Sequence, residues 1–193
     1  MTATVKIIVT SRGEGMAEAL AFTEELAQAA GLERKEQLRL VLLTEELFGT
    51  LASIAGDVQA EYWVEHEGKQ FAIHLKSDVT MTREMRAQLL AVSSLGVHAA
   101  ARGFMGRLRD MIGAALLPKE EGPSMLSLGL MSMGSPGGYA IGGSYDWSLK
   151  RFRAESGKEV WDELEKSIVA SIADDVTISI LNSVVEITVE KEF

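Results

Sequence analysis

The chain has 193 residues and a formal net charge of −9 at pH 7, with 47% hydrophobic and 24% charged residues. These proportions are typical of a folded domain with a sizeable core. The acidic balance disfavours nonspecific binding to nucleic acid or an anionic membrane, and the absence of cysteine excludes disulfides and thiolate metal sites. Since no apolar run approaches the roughly 20 residues that span a bilayer, we expect a cytoplasmic protein.

The first 75 residues show clear helix and strand patterns. Residues 4–10 predict a strand, and helices are predicted over about 15–30 and 34–54. Gly31 is placed to end the first helix in a left-handed conformation. Two alternating runs, 60–65 and 71–75, predict a hairpin with a four-residue loop at 66–69.

The rest of the chain is less regular until its last third. Residues 82–117 have a helical pattern interrupted by glycines, and 118–143, which contain all three prolines, predict a long loop. A helix over 158–172 and a hairpin of strands 176–180 and 185–189 close the chain.

These elements predict an α+β fold. We expect a two-layer sandwich, with a mixed, mostly antiparallel sheet of about five strands and helices on one face. The whole chain, 1–193, is then one domain with an irregular, lid-like insertion at about 81–143.

The negative charge is concentrated at the C-terminal end. The last forty residues contain ten acidic residues and only three lysines, so the remainder of the chain is close to neutral. The acidic pI therefore does not argue against a phosphate-bearing ligand in the N-terminal two-thirds. The C-terminal end is a candidate surface for a basic partner.

Two adjacent carboxylates, Glu45 and Glu46, lie in the middle of the second predicted helix. Leu43 and Leu47 mark the buried stripe of that helix, so one glutamate could sit at the margin of the stripe. A carboxylate in that position can act as a general base or bind a metal ion. The alternative is a pair of glutamates on a solvated helix face.

The order of strand, two helices with a Glu in the second, and a hairpin followed by an Asp resembles GHKL-type ATP-binding domains. Within that superfamily the chain is most similar to the anti-sigma-factor serine kinases of bacterial stress and sporulation switches. The resemblance puts Glu45 in place of the Glu that polarises water or substrate, and Gly49 in place of the Asn that holds magnesium. Because glycine offers no metal ligand, we favour a noncatalytic switch over an active kinase.

Two further positions take their roles from the same resemblance. Asp78 matches the Asp that accepts the adenine amino group, although the glycines that follow it in the family are missing here. The alternative is that Asp78 or Ser77 caps a helix starting near Thr82. Gly129 weakly matches the glycine-rich segment near the ATP lid, where a flexible loop is the alternative.

The resemblance implies a regulatory protein that binds ATP or ADP, with magnesium binding in question, and acts on a protein partner. That partner would be a sigma factor or an anti-sigma antagonist domain, and a homodimer is left open. An active form would be an ATP-dependent protein serine kinase with Glu45 as its base. The alternative function is a protein-interaction module that needs no nucleotide and uses the Met- and Gly-rich loop within 118–143.

Overall fold

The computed structural model describes residues 2–3, 5–53, 57–78, 138–141, 144–155, 168–181 and 184–193. The helices in this part of the chain are α1 (Met16–Ala29), α2 (Arg34–Ser53), α3 (Leu149–Glu155) and α4 (Ile168–Ile172). The strands are β1 (Thr2–Ala3), β2 (Ile7–Thr10), β3 (Gln59–Glu67), β4 (Gln70–Asp78), β5 (Gly138–Ile141), β6 (Ser144–Ser148), β7 (Asp175–Leu181) and β8 (Val184–Glu192). None of these helices is both long enough and apolar enough to span a membrane.

The strands form one sheet in the order β1-β3-β4-β8-β7-β6-β5, and β2 also pairs with β3. Every strand pairing within the described ranges is antiparallel. The predicted α+β class is confirmed. The expectation of a mixed sheet is wrong for these strands, and the sheet has eight strands among the described residues instead of about five.

The added strands β5 and β6 lie where the sequence predicts the end of the long loop and the residues just after it. Tyr145 and Trp147 of β6 pair with Ile180 and Ile178 of β7, and all four side chains are buried. The glycines around β5 have low strand propensity, which is why the local pattern indicates a loop. Pairing with β6 overrides that local preference.

The described helices and one face of the sheet share a single hydrophobic core. Strand residues of the core alternate along the chain, as Tyr62 and Val64 do in β3 and Ile73 and Leu75 do in β4. From α2 the core takes Leu40, Leu43, Leu47 and Leu51. The apolar sides of α2, β3 and β4 therefore face the core, as the sequence patterns predict.

Two turns test the glycine predictions. Gly31 follows α1 with a φ of +74°, and its backbone N–H donates to the carbonyl of Gln28, as expected for a left-handed helix end. The predicted four-residue hairpin loop is wrong, because Glu67 still pairs with Gln70. The loop consists of two residues, Gly68, which has a φ of +58°, and Lys69. His66 and Glu67 therefore belong to β3.

The edge of the sheet beside β3 is bulged. β1 pairs Thr2 with His66, whereas β2 pairs Ile7 with Tyr62, so the register shifts by one residue between the two strands. Such a shift is the signature of a β-bulge. A bulged edge is a poor template for pairing with another sheet.

Candidate functional site

The packing of α2 decides where its acidic pair points. Leu43, Thr44 and Leu47 are buried, the two leucines in the hydrophobic core, and Glu45 lies on the solvent-exposed side of the helix. Glu46 is half-buried. Of the two carboxylates, it is therefore Glu46 that lies at the margin of the buried stripe, and Glu45 projects from the outer side.

A buried polar contact fixes this orientation of α2. The hydroxyl of Tyr62 lies 2.5 Å from Thr23 Oγ1 on α1 and 3.3 Å from Thr44 Oγ1 on α2. The two threonine hydroxyls also donate to helix carbonyls, those of Ala19 and Leu40. Burial raises the pKa of Tyr62 to about 12, because the interior penalises the phenolate more than the two hydroxyl contacts stabilise it. Since Thr44 directly precedes Glu45, this contact also holds Glu45 outward.

Gly49 lies one helical turn after Glu45, in the position where the family resemblance expects a metal-binding Asn. It is exposed, and a Cβ at this position would meet no atom within 4 Å. Neither a close contact nor a positive φ therefore requires glycine here. Residues four apart share one side of a helix, so a side chain at position 49 would lie beside Glu45.

Asp78 is the last residue of β4, and it is exposed. Its neighbour Ser77 faces the helices, is buried, and donates its hydroxyl to the carbonyl of Gln59 at 2.7 Å. Alternation along the strand therefore places Asp78 on the face of the sheet away from α2. Glu45 and Gly49 lie together on α2, and Asp78 lies apart from them at the end of the hairpin.

The remaining predicted features lie outside the described residues. Gly129, the helix expected near Thr82 and nearly all of the lid-like insertion at 81–143 belong to this group; only 138–141, which form β5, are described. Within the ranges that the structure covers, no group of three or more acidic or histidine side chains is arranged to hold a metal ion.

The sequence reasoning missed an aromatic pair on the sheet face opposite the helices. Trp63 of β3 and His74 of β4 are paired in register, and their rings stack in parallel with centroids 4.6 Å apart. The signal was present in the alternation of β3, which predicts Trp63 on the solvent side between Glu61 and Glu65. The large apolar indole of Trp63 is shielded from water in that position in part by the ring of His74.

In comparisons with known proteins, no protein-family model matches the chain, and no curated protein matches it either.

Proposed function

We propose that the chain is a regulatory protein of the anti-sigma-factor-kinase type, which binds an adenine nucleotide and acts on a protein partner without transferring phosphate. The observation that carries this proposal is the outer side of α2. It displays Glu45 and, one turn later, an exposed glycine with open space around it. We also propose that the α+β fold is GHKL-like.

The glycine at position 49 supports the noncatalytic half of the proposal. Glycine in a helix interior is less favourable than alanine by about 1 kcal/mol, and packing gives no compensating reason for it here. Phosphoryl transfer depends on a metal ion that neutralises charge on the phosphates. Glu45 with no side chain at position 49 offers one carboxylate and no second ligand, so the nucleotide acts as an effector and is not consumed.

The proposal is tested by titrating ATP into the protein calorimetrically, with and without magnesium. We expect the wild type to bind ATP in the micromolar range with little dependence on magnesium. Gly49→Asn supplies the missing ligand in open space and should tighten binding in magnesium by roughly tenfold, or about 1.4 kcal/mol. Gly49→Ala is the matched control, since it adds a side chain without a ligand and should leave the affinity unchanged.

Two results would contradict the proposal. If neither the wild type nor Gly49→Asn binds ATP at millimolar concentration, the nucleotide half is wrong. If the wild type turns over ATP with magnesium, the noncatalytic half is wrong. Asp78 lies on the face of the sheet away from α2, so Asp78→Ala should leave the affinity for ATP unchanged.

A further inference from the structure

Trp63 is sandwiched between two side chains on the sheet face opposite the described helices. The ring of His74 lies parallel to it on the β4 side, and Lys6 Nζ lies 4.9 Å from the ring centroid on the β2 side. Lys6 is held there by an ion pair with Glu61 at 2.7 Å. Although Trp63 belongs to the face that has no helix among the described residues, it is only 9% exposed. The stacked histidine is thus part of what keeps the indole out of water.

The hydrogen bonding of His74 is one-sided. Nδ1 lies 3.1 Å from Thr188 Oγ1 and 3.8 Å from Glu186 Oε1, both on β8. Nε2 is buried and has no hydrogen-bond partner among the described residues. A neutral ring with its proton on Nδ1 donates toward β8 and leaves only a lone pair buried, whereas a proton on Nε2 would leave a donor unpaired. The geometry therefore selects the Nδ1–H tautomer.

Charged groups face this histidine from each strand around it. Burial lowers its pKa more than the nearby carboxylates of Glu65, Glu186 and Glu190 raise it, so the ring is neutral at pH 7. Among the described residues, the facing charged groups are Lys6 beside β2, Glu61 and Glu65 on β3, Lys76 on β4 itself, and Glu186 and Glu190 on β8.

We propose that the Trp63–His74 stack is a proton-operated latch, in which protonation of Nε2 drives the imidazolium out of the stack and uncovers Trp63 on the sheet face opposite the described helices. The second proton has to enter at the one ring nitrogen that lacks an acceptor, which makes the stacked position unfavourable for the cation. A cation can also be attracted to an indole, but Lys6 already occupies the other side of this ring and repels a second positive charge. The carboxylates of Glu65 and Glu190, which lie on the same face, can pair with the imidazolium.

The sign of the pH dependence follows from the lowered pKa. The unfolded chain binds a proton at the ordinary histidine value of 6.5, and the folded state binds it only at lower pH. The unfolded state therefore holds more protons in the window below 6.5, and the fold loses stability as the pH falls through it. The latch requires neither nucleotide nor the outer side of α2, so it stands or falls separately from the proposed function.

The latch is tested on the intact protein between pH 8 and pH 5. Imidazole nitrogen NMR should show His74 as the Nδ1–H tautomer at pH 8. Tryptophan emission should shift to longer wavelength on acidification, with a midpoint below 6.5. The shift should be lost in Trp63→Phe and in His74→Gln. It should persist in His66→Gln, the control at a histidine stacked on Phe71 instead of on Trp63.

An Nε2–H tautomer at pH 8, or an emission shift that survives in His74→Gln, would overturn the proposal. If His74→Gln does not fold, NMR cross-peaks in the wild type test the proposal. Cross-peaks between the ring protons of His74 and the indole of Trp63 must be present at pH 8 and disappear at pH 5. Their retention in acid means that the stack does not open.

Discussion

Gly15→Ala is expected to lower the free energy of unfolding by about 3 kcal/mol or more, which makes it one of the two most damaging substitutions that we predict. Gly15 is the residue before α1 and has a φ of +73°. A Cβ there would collide with the backbone carbonyl oxygen of Ile8 in β2. Since backbone atoms cannot turn aside as a flexible side chain can, either the strand or the start of the helix has to move.

Gly31→Ala is the matched control for this prediction. Gly31 has nearly the same φ, +74°, but a Cβ there would meet no atom within 4 Å. Only the left-handed backbone is then penalised, and the loss should be about 1 kcal/mol. Denaturant unfolding of both variants separates the two effects. Equal losses would show that the collision with Ile8 is relieved cheaply, and the prediction would be wrong.

Tyr62→Phe should cost about 1–2 kcal/mol at pH 8, because it removes the hydroxyl that joins β3 to both α1 and α2. The ring itself stays, with its edge contact to Phe48 at 5.1 Å between centroids. Thr23 and Thr44 keep their bonds to helix carbonyls, so neither hydroxyl is left without any partner. The loss of stability therefore measures the hydroxyl contacts between β3 and the two helices, because the substitution leaves no large cavity.

The same variant should change how stability depends on alkaline pH. Because the folded pKa of Tyr62, about 12, is raised above the ordinary value of 10.0, its contribution is present below pH 10 and is lost as the pH rises toward 12. At pH 11 the wild type should have lost about 1.4 kcal/mol from this group, and Tyr62→Phe has no such loss. The difference between the two proteins should therefore shrink toward zero between pH 8 and pH 11.

Thr44→Val provides the control for the alkaline effect. It removes a contact that lowers the pKa of Tyr62 but leaves the phenol buried, so the loss of stability above pH 10 should persist. Denaturant unfolding at pH 8 and pH 11 measures all three proteins. A difference between wild type and Tyr62→Phe that stays constant with pH would mean that the Tyr62 hydroxyl ionises as if it were in water.

The local elements were predictable because their signals are local. The leucine spacing that predicts α2 is the spacing that buries Leu40, Leu43 and Leu47. Gly31 ends α1 with the positive φ that its position predicts. In β3, Tyr62 faces the helices and Trp63 the opposite side, as the alternation of the sequence indicates.

The first prediction that failed depends on partners distant in the chain. Whether residues 138–141 form a strand is decided by β6, which in turn needs Ile178 and Ile180 of β7. The hairpin loop is two residues long because the pairing of Glu67 with Gln70 extends the ladder, which outweighs the polar character of residues 66–69. Local composition does not show whether a strand is available to pair with residues 138–141.

For the candidate site, too, the sequence selected the residues and the structure decided where their side chains lie. The resemblance selected Glu45, Gly49 and Asp78 by their order in the sequence. That order does not say on which side of the helix or the sheet each side chain lies. The Tyr62 contact turns Thr44 inward and Glu45 outward, and the alternation of β4 puts Asp78 on the far side of the sheet. Gly129 stays a prediction.

The sequence by itself determined the class of the fold, the amphipathic faces and an acidic C-terminal end, because each depends on residue types and their spacing. Only the tertiary structure decided which charges and rings meet. Glu186 and Glu190 of that acidic end lie on β8 beside β4, and there they face His74 and the stacked Trp63. Burial and strand register bring residues more than a hundred positions apart within a few ångströms, and composition carries no information about such pairs.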